Sequence, residues 1–429
     1  MSSSLTRDRN HLQVHRTVLG NGMTVLTVEN PTADIVSGRI FVRVGTRYEP
    51  MEQAGITHML MSVLTRGTQH LSSMEIAEQI ESVGAGMGTD SATDYSLVNL
   101  KTVSSDFPEI LNLAAEIMRS PSFPNSEVEL ERRLTLQGLR SMQEQPFSIA
   151  QRQLRQLMYG NHPYALSALG TEDSIQQLTR DDLETYHQAY FRPDNVVVSI
   201  VGRITQEQAI ALVEEAFGDW QNSDSALLEP PALPELTPQP QSIATEQDTQ
   251  QAILILGYLA PPVSSPDYTT LRLINSHLGN GLSSRLFVEL REKQGLAYDV
   301  STVFPTRVLL SQFLAYIGTA PTNVAIALAG LRQEVERLCS TPLTDEELQV
   351  AKSKYLGQYA LGKQTNAQIA QIYGWYETLG AGIHYDDQFQ DDFAAVTSED
   401  VQAIANRYFI EPYMSLVGPK EAIGMAELR

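Results

Sequence analysis

The chain repeats one stretch of sequence at a fixed spacing, and this internal duplication constrains its fold more than any other feature. Residues 178–191 (LTRDDLETYHQAYF) align without a gap with residues 396–409 (VTSEDVQAIANRYF), at an offset of 218 residues. Each copy runs into an apolar segment that ends in Val-Gly. Two unrelated capped helices would rarely share an acidic pair, a tyrosine and a phenylalanine in register. We therefore expect two homologous domains of similar fold.

A proline-rich segment separates the two copies. Five prolines lie between positions 222 and 250, and the apolar periodicity there is weak. Prolines at this density favour a stiff, extended connector over a helix. The prediction is an N-terminal domain at 1–221, a linker at 222–250 and a C-terminal domain at 251–429. A chain of 429 residues is long enough for two separate cores.

Local patterns predict both helices and strands in each domain. The turn Gly20-Asn21-Gly22 is typical of a hairpin within residues 14–29, and the apolar run at 54–65 predicts a buried helix. The nearly continuous apolar run at 195–202 predicts a strand that is covered on both faces. Together these patterns indicate an α+β fold, in which each domain is a mostly antiparallel sheet covered by helices.

Charge and cysteine content narrow the partners that the chain can have. The chain has 30 Lys and Arg residues and 51 Asp and Glu residues, which gives a formal charge of −21. This charge argues against nucleic acid or an anionic membrane as a partner and is compatible with basic peptides as ligands. The single cysteine, Cys339, excludes an internal disulfide framework and any cysteine-based metal site within one chain. The sequence shows no signal peptide or apolar membrane span, so the predicted location is the cytoplasm.

The stretch at 281–300 (GLSSRLFVELREKQGLAYDV) has the pattern of a helix that reverses into a strand. The serines at 283 and 284 can cap the start of a helix, and apolar and charged residues then alternate at helical spacing through 285–293. Gly295 is a natural helix end, and residues 296–301 are predicted to form a strand.

Arg291 and Tyr298 stand on either side of this predicted reversal. A helix that turns at a glycine and continues at once as a strand can bring both side chains into one space, where they offer a guanidinium fork and a phenol OH to a peptide carbonyl. Arginine is also favoured in the last turn of a helix by the helix dipole, and tyrosine in a strand often serves packing. Their spacing alone leaves both interpretations open.

Four segments, in this order, give the chain a family resemblance. They are GITHMLMSVLTRGT, IESVGAGMGTDSATDYSLV, HPYALSALGTEDSIQQLTRDDLETYHQAYFRPDNVVVSIVG and SSRLFVELREKQGLAYDVS. With these segments the chain resembles the M16 metallopeptidases, in the branch similar to mitochondrial processing peptidase and its bacterial relatives, over nearly its whole length. The resemblance implies two such domains in a clamshell-like arrangement.

The zinc site of that family is degenerate in this sequence. Family members bind zinc with an H-x-x-E-H helix and a glutamate from a later helix, and the glutamate of the motif is the general base. His58 matches the first histidine, but Met61 stands at the base, Ser62 at the second histidine and Gly138 at the later glutamate. Methionine cannot accept a proton, and a thioether suits soft metals. The resemblance therefore implies no catalytic residue and no cofactor in this chain.

Arg291 and Tyr298 match an Arg-Tyr motif that the noncatalytic subunit carries in two-subunit members of this branch. The resemblance implies a division of labour, in which a homologous partner with an intact H-x-x-E-H motif holds zinc and the base. This chain would complete the active chamber and bind the peptide substrate with Arg291 and Tyr298. In isolation, the same surface could pair with a second copy of the chain.

Two alternative functions stay open. The chain could be a structural scaffold, like the M16-like core subunits of respiratory complexes; only the short turn Gly279-Asn280-Gly281 stands where the noncatalytic mitochondrial subunit has a long glycine-rich loop. It could also be a standalone enzyme with a different site, although there is no nucleophile elbow or phosphate loop. Several other histidines show no ligand spacing with one another: His70, His162, His187, His277 and His384.

Overall fold

The computed structural model describes residues 13–222, 233 and 236–425. Its strands form two sheets, one of six strands and one of five, and helices cover both. The predicted α+β class is confirmed. Within the described ranges, none of the helices combines the length and apolar character that crossing a membrane would require.

The first half of the chain builds the six-stranded sheet, in the order β1-β2-β6-β3-β5-β4. Its strands are β1 (His15–Val18), β2 (Thr24–Glu29), β3 (Val36–Val42), β4 (Gly86–Ser91), β5 (Ser96–Thr102) and β6 (Val196–Gly202). Its helices are α1 (Ile56–Val63), α2 (Ser73–Ser82), α3 (Phe107–Arg119), α4 (Asn125–Glu144), α5 (Pro146–Tyr159), α6 (Glu172–Gln177), α7 (Arg180–Tyr190) and α8 (Gln206–Phe217).

The second half builds the five-stranded sheet, in the order β7-β11-β8-β10-β9. Its strands are β7 (Ser242–Glu246), β8 (Ala252–Ala260), β9 (Asp299–Val303), β10 (Ser311–Thr319) and β11 (Tyr413–Gly418). Its helices are α9 (Asp267–Leu278), a π-helical segment (Phe287–Lys293), α10 (Val324–Ser340), α11 (Asp345–Leu361), α12 (Asn366–Thr378), α13 (Tyr385–Ala395), α14 (Ser398–Tyr408) and α15 (Lys420–Met425).

The two sheets have the same topology, which confirms the predicted duplication. In the first sheet β2 and β6 pair in parallel, and the neighbouring β6-β3-β5-β4 pairs are antiparallel. The second sheet repeats this arrangement with β7 and β11 parallel and β11-β8-β10-β9 antiparallel. Strand β1, which pairs with β2, is the addition in the first half.

The duplicated sequence stretch forms α7 and α14, whose first residues repeat the same cap. Thr179 caps α7 by accepting a hydrogen bond from the backbone N–H of Asp182, and the Asp182 carboxylate accepts one from the N–H of Thr179. Thr397 and Asp400 make the same reciprocal pair at the start of α14. A cap of this kind needs only the threonine and an acid three residues later, so it is visible in the sequence.

The two halves exchange a helix, in the sense that one helix from each half packs on the sheet of the other half. Helix α5 packs on β8 and β11 of the second sheet, and α12 packs on β3 and β6 of the first. A glycine permits close approach at each contact. A Cβ on Gly257 would lie 2.8 Å from atoms of Leu154 and Met158, and one on Gly374 would lie 2.3 Å from the ring of Phe41. Each sheet is thereby covered on its second face by the other half of the chain.

Several local predictions match the described elements. The Gly20-Asn21-Gly22 turn joins β1 to β2, and the predicted helix at 54–65 corresponds to α1. Every residue of β6 is buried, as expected of a strand covered on both faces. The linker predicted at 222–250 lies partly outside the described residues, namely at 223–232 and 234–235. Strand β7 lies inside that range, so the second sheet begins before residue 251, and the domain division itself stays a prediction.

Candidate functional site

Helix α1 carries His58, Met61 and Ser62, and a buried carboxylate fixes its first turn. Gly55, just before the helix, has a φ of 90°, and its backbone N–H donates to Glu49 Oε2 at 2.7 Å. The N–H of Thr57 donates to Glu49 Oε1 at 3.0 Å. Burial raises the pKa of Glu49 to about 7, and these hydrogen bonds partly offset the shift. No sequence motif indicated this cap, because Glu49 lies in the loop before the helix.

His58 points toward helix α4. Its Nε2 lies 3.2 Å from Thr135 Oγ1 and 3.7 Å from Glu131 Oε1. Burial lowers the pKa of His58 below its usual value, and the carboxylate of Glu131 opposes that shift. The retained histidine thus lies at hydrogen-bond distance from one hydroxyl and near one carboxylate, at positions on α4 that the sequence did not single out.

The other positions of the predicted degenerate zinc site differ in environment. The side chain of Met61 is 2% exposed and belongs to the core of the first half, while its carbonyl accepts a hydrogen bond from Thr89 Oγ1 on β4 at 2.7 Å. Ser62 is half-buried. At Gly138 an added Cβ would meet only Leu169, at 3.6 Å, so this position has room for a side chain.

These residues do not fit a zinc ion. A hydrolytic zinc site needs three protein ligands, and α1 offers a single imidazole beside a thioether and a serine. In the part of the chain that the structure describes, no three His, Cys, Asp or Glu side chains come together in a way that could hold a metal. We therefore derive no reaction step through a metal in this chain.

The predicted reversal at Gly295 is present. Gly295 has a φ of +65°, its N–H donates to the carbonyl of Arg291 at 3.1 Å, and the N–H of Leu296 donates to that of Leu290 at 2.8 Å. These bonds close the π-helical segment and turn the chain toward β9. The predicted strand at 296–301 is wrong in its boundaries, because the first of these residues completes the helix end. The strand begins at Asp299 and ends at Val303.

The predicted serine cap is also wrong. No side-chain hydrogen bond caps the start of the helical segment, and the hydroxyl of Ser284 is buried without a partner among the described residues. The carbonyl of Ser284 accepts the N–H of Val288 instead, at 3.0 Å. The backbone thus starts this helix without help from the serine side chain.

Arg291 and Tyr298 lie on either side of the reversal, and both side chains are exposed. The guanidinium of Arg291 lies over the ring of Phe287, 4.9 Å from its centroid. Tyr298 is 57% exposed, and its backbone N–H donates to the carbonyl of Gly318 at 2.9 Å. Among the described residues, neither the guanidinium nor the phenol OH has a hydrogen-bond partner, so their donors are available to a ligand.

The two candidate regions occupy equivalent edges of the duplicated sheets. Strand β4, whose Thr89 donates a hydrogen bond to the carbonyl of Met61, is an edge strand of the first sheet. Strand β9 follows Tyr298 and is an edge strand of the second sheet. The predicted degenerate metal position and the Arg-Tyr pair thus lie in different halves of the chain. Among the described residues, His58 contacts Thr135 and Glu131, and Arg291 contacts Phe287.

Two family profiles match the chain in succession. The profile described as "Insulinase (Peptidase family M16)" matches residues 24–172, and the one described as "Peptidase M16 inactive domain" matches residues 177–355. Together they span more than half of the sequence. The chain belongs to the M16 peptidase family.

Relatives and solved structures resemble the chain over almost its full length. An uncharacterized zinc protease of Bacillus subtilis is 26% identical over 95% of this chain and 98% of its own, and one of Streptomyces coelicolor is 27% identical over 95% and 90%. A peptidase M16 inactive domain from Pseudomonas fluorescens has a TM-score of 0.89 at 25% identity, covering 95% of this chain and 99% of its own. A protease from Helicobacter pylori shares the fold, with a TM-score of 0.90 at 24% identity over 95% of this chain and all of its own. The fold is that of the two-domain M16 clamshell.

Proposed function

We propose that this chain is the noncatalytic subunit of a two-chain zinc metalloendopeptidase. One observation carries the proposal: the side chain of Met61, which the family resemblance aligns with the general base, is only 2% exposed and stands beside Ser62. A buried thioether cannot accept a proton from water, and its metal preference is for soft ions. Zinc and the base are therefore supplied by a homologous M16 partner with an intact H-x-x-E-H motif. Relatives named as zinc proteases support a peptidase setting for the chain.

The role of Arg291 and Tyr298 is to bind the peptide substrate. Both side chains are exposed and have no hydrogen-bond partner within the described part of the chain, and the arginine is held in place by stacking on Phe287. A guanidinium fork and a phenol OH can donate to successive backbone carbonyls of an extended peptide. Holding the peptide still beside a metal on another chain contributes proximity and orientation rather than bond chemistry.

Strand β9 supports the same assignment, because it is the edge of its sheet. In the described sheet β9 pairs with β10 alone, so its other side presents backbone donors and acceptors. An extended peptide can add to such an edge as a further strand. Tyr298 stands immediately before β9, where its OH can reach a peptide lying along that edge.

The partner is a homologue, because the zinc ligands and base that this chain lacks are those of the family's own H-x-x-E-H helix. The same reasoning allows a homodimer when the chain is isolated. With a net charge of −21, the chain favours basic peptides over acidic ones, and nucleic acid is not an expected partner. The predicted place of this assembly is the cytoplasm.

The proposal is tested by reconstitution. The purified chain is assayed for peptide hydrolysis alone, and again after addition of an H-x-x-E-H homologue from the same organism. We expect this chain alone to show no peptide hydrolysis. We expect the mixture to hydrolyse peptide at a rate well above that of the homologue alone. Arg291→Ala and Tyr298→Phe are expected to reduce the activity of the mixture.

A matched control separates substrate binding from general loss of charge. Arg133 is exposed on α4, so Arg133→Gln removes one positive charge without touching the candidate site.

A stable complex whose hydrolysis never exceeds that of the homologue alone would favour the structural scaffold instead. Hydrolysis by the purified chain alone would contradict both functions.

A further inference from the structure

A cavity of about 380 Å³ lies where the two halves of the chain meet. Asp94 and Tyr95 line it from the first half, and Arg272, Arg307 and Trp375 line it from the second. Its volume is within the range of small-ligand pockets, roughly 300–1,000 Å³. None of the residues assigned above to peptide binding or to the degenerate zinc site lines it.

Arg272 faces this cavity without a negatively charged partner. Its Nε donates to the hydroxyl of Tyr268 at 2.7 Å and its Nη1 to the carbonyl of Phe304 at 2.8 Å, while Nη2 donates to Thr306 Oγ1. The guanidinium also lies over the rings of Tyr268 and Phe304. Among the described residues, no carboxylate forms an ion pair with it. The group is fixed in position by neutral acceptors, and its charge is uncompensated.

Arg307 lines the same cavity as Arg272 and is also without an ion-pair partner among the described residues. Its Nη1 lies 3.4 Å from the carbonyl of Thr306, the residue whose hydroxyl accepts from Arg272. Its guanidinium stands over the ring of Tyr164, 5.6 Å from the centroid. Thr306, which also lines the cavity, thus contacts both arginines, one through its hydroxyl and the other through its carbonyl.

Asp94, the carboxylate that lines the cavity, is already engaged. Its Oδ1 accepts from the hydroxyl of Tyr164 at 2.7 Å and lies 3.5 Å from Nε of Arg47. Its Oδ2 accepts from the backbone N–H of Val308 at 3.2 Å. Arg47 already forms an ion pair with this carboxylate. The positive charges of Arg272 and Arg307 are therefore not balanced by a carboxylate that lines the cavity. Burial raises the pKa of Tyr95 and the carboxylate of Asp90 adds to this shift, but Asp90 is exposed on β4 and does not line the cavity.

A local excess of arginine is unexpected in a chain with a net charge of −21. We propose that this cavity, which we call the junction cavity, binds a small oxyanion, a carboxylate or phosphate group, between Arg272 and Arg307. Guanidinium forks match the planar geometry of carboxylate and the oxygens of phosphate. The rings of Tyr95 and Trp375 also line the cavity, where they can contact an apolar substituent on the ligand. Since the walls come from both halves, a bound anion joins them and stabilises their arrangement.

Trp375 gives a direct readout of the junction cavity. The chain has two tryptophans, and the other, Trp220, packs on Phe217 at the end of α8. A Trp220→Phe protein therefore reports the cavity alone by fluorescence. We would titrate this protein with inorganic phosphate and, separately, with acetate, at an ionic strength held constant with sodium chloride so that surface screening does not change.

A saturable change in Trp375 fluorescence with phosphate, acetate or both is the expected result, and the effective anion identifies the ligand class. Arg307→Gln, in the same background, is expected to weaken binding at least tenfold, whereas Arg133→Gln leaves it unchanged. Arg272→Lys, which keeps the charge and loses the fork, is expected to weaken it as well. Circular dichroism establishes that each variant is folded.

No saturation with either anion, or equal binding by the Arg307→Gln and Arg133→Gln proteins, would overturn the proposal. The titration measures no hydrolysis, so its outcome is independent of the proposed peptidase role.

Discussion

The backbone of Gly374 on α12 lies against the ring of Phe41 on β3, so tightly that a Cβ at position 374 would come within 2.3 Å of Phe41 Cε2. Phe41 is completely buried. This contact joins the second half of the chain to the sheet of the first half. The packing of α12 on the first sheet therefore rests on a position where an added side chain is excluded.

Gly374→Ala is expected to lower the free energy of unfolding by about 1–3 kcal/mol, because the methyl group overpacks a rigid ring in the core. The matched control is Gly357→Ala on α11, where an added Cβ meets nothing within 4 Å. Alanine is the better helix former, so this control is expected to gain about 0.5–1 kcal/mol. Urea unfolding of both variants measures the difference. Equal effects at the two positions would show that the contact with Phe41 is loose.

Stability is expected to depend on pH through Glu49. Its pKa is raised by burial from the usual 4.5 to about 7, so between these values the folded protein holds a proton that the unfolded chain has released. The contribution of Glu49 is full below pH 4.5 and is lost as pH rises toward 7, by at most about 3 kcal/mol. Glu49→Gln removes this titration.

The measurement is the difference in unfolding free energy between the wild-type protein and Glu49→Gln, taken from pH 5 to pH 8. The wild-type protein is expected to lose stability relative to the variant as pH rises. Glu52→Gln, at an exposed position three residues along, is the control that should follow the wild-type curve. A difference that stays constant with pH would mean that Glu49 titrates normally in the folded state.

Features encoded by short stretches of sequence could be predicted, and those set by distant contacts could not. The caps of α7 and α14 and the reversal at Gly295 need only neighbouring residues, so their positions follow from the sequence. The start of β9 was predicted three residues too early because the N–H of Leu296 closes the helix end before it. The exchange of α5 and α12 has no local signal, since an apolar helix face does not specify which sheet it covers. The junction cavity was missed for the same reason, because Arg272 and Arg307 approach only through tertiary folding.

Arg291→Ala and Tyr298→Phe are expected to lower kcat/KM of the mixed enzyme by about 10- to 100-fold each, the range for losing a hydrogen bond from a positioned donor. Zinc content and association with the partner should not change, because neither side chain contacts the core. Arg133→Gln should leave kcat/KM unaltered. If both site variants hydrolyse peptide as fast as the wild-type mixture, the pair does not bind substrate.

Restoring the missing metal ligands should create a zinc site in this chain. Ser62→His places an imidazole four residues after His58 on α1, and Gly138→Glu uses a position where an added Cβ meets only Leu169, at 3.6 Å. Three ligands then match the requirement of a hydrolytic zinc site. Zinc bound after gel filtration is expected to rise to about one ion per chain in the double variant. No gain in zinc would contradict the alignment of these positions with the family's metal site.

The most direct test of the central claim is zinc content measured together with peptide hydrolysis, on the purified chain alone and after addition of its H-x-x-E-H homologue. We predict no stoichiometric zinc and no hydrolysis for the chain alone, and in the mixture a rate above that of the homologue alone that falls with Arg291→Ala. Stoichiometric zinc and hydrolysis by the chain alone would contradict the account, and would mean that Met61, Ser62 and Gly138 are not the positions of the metal site.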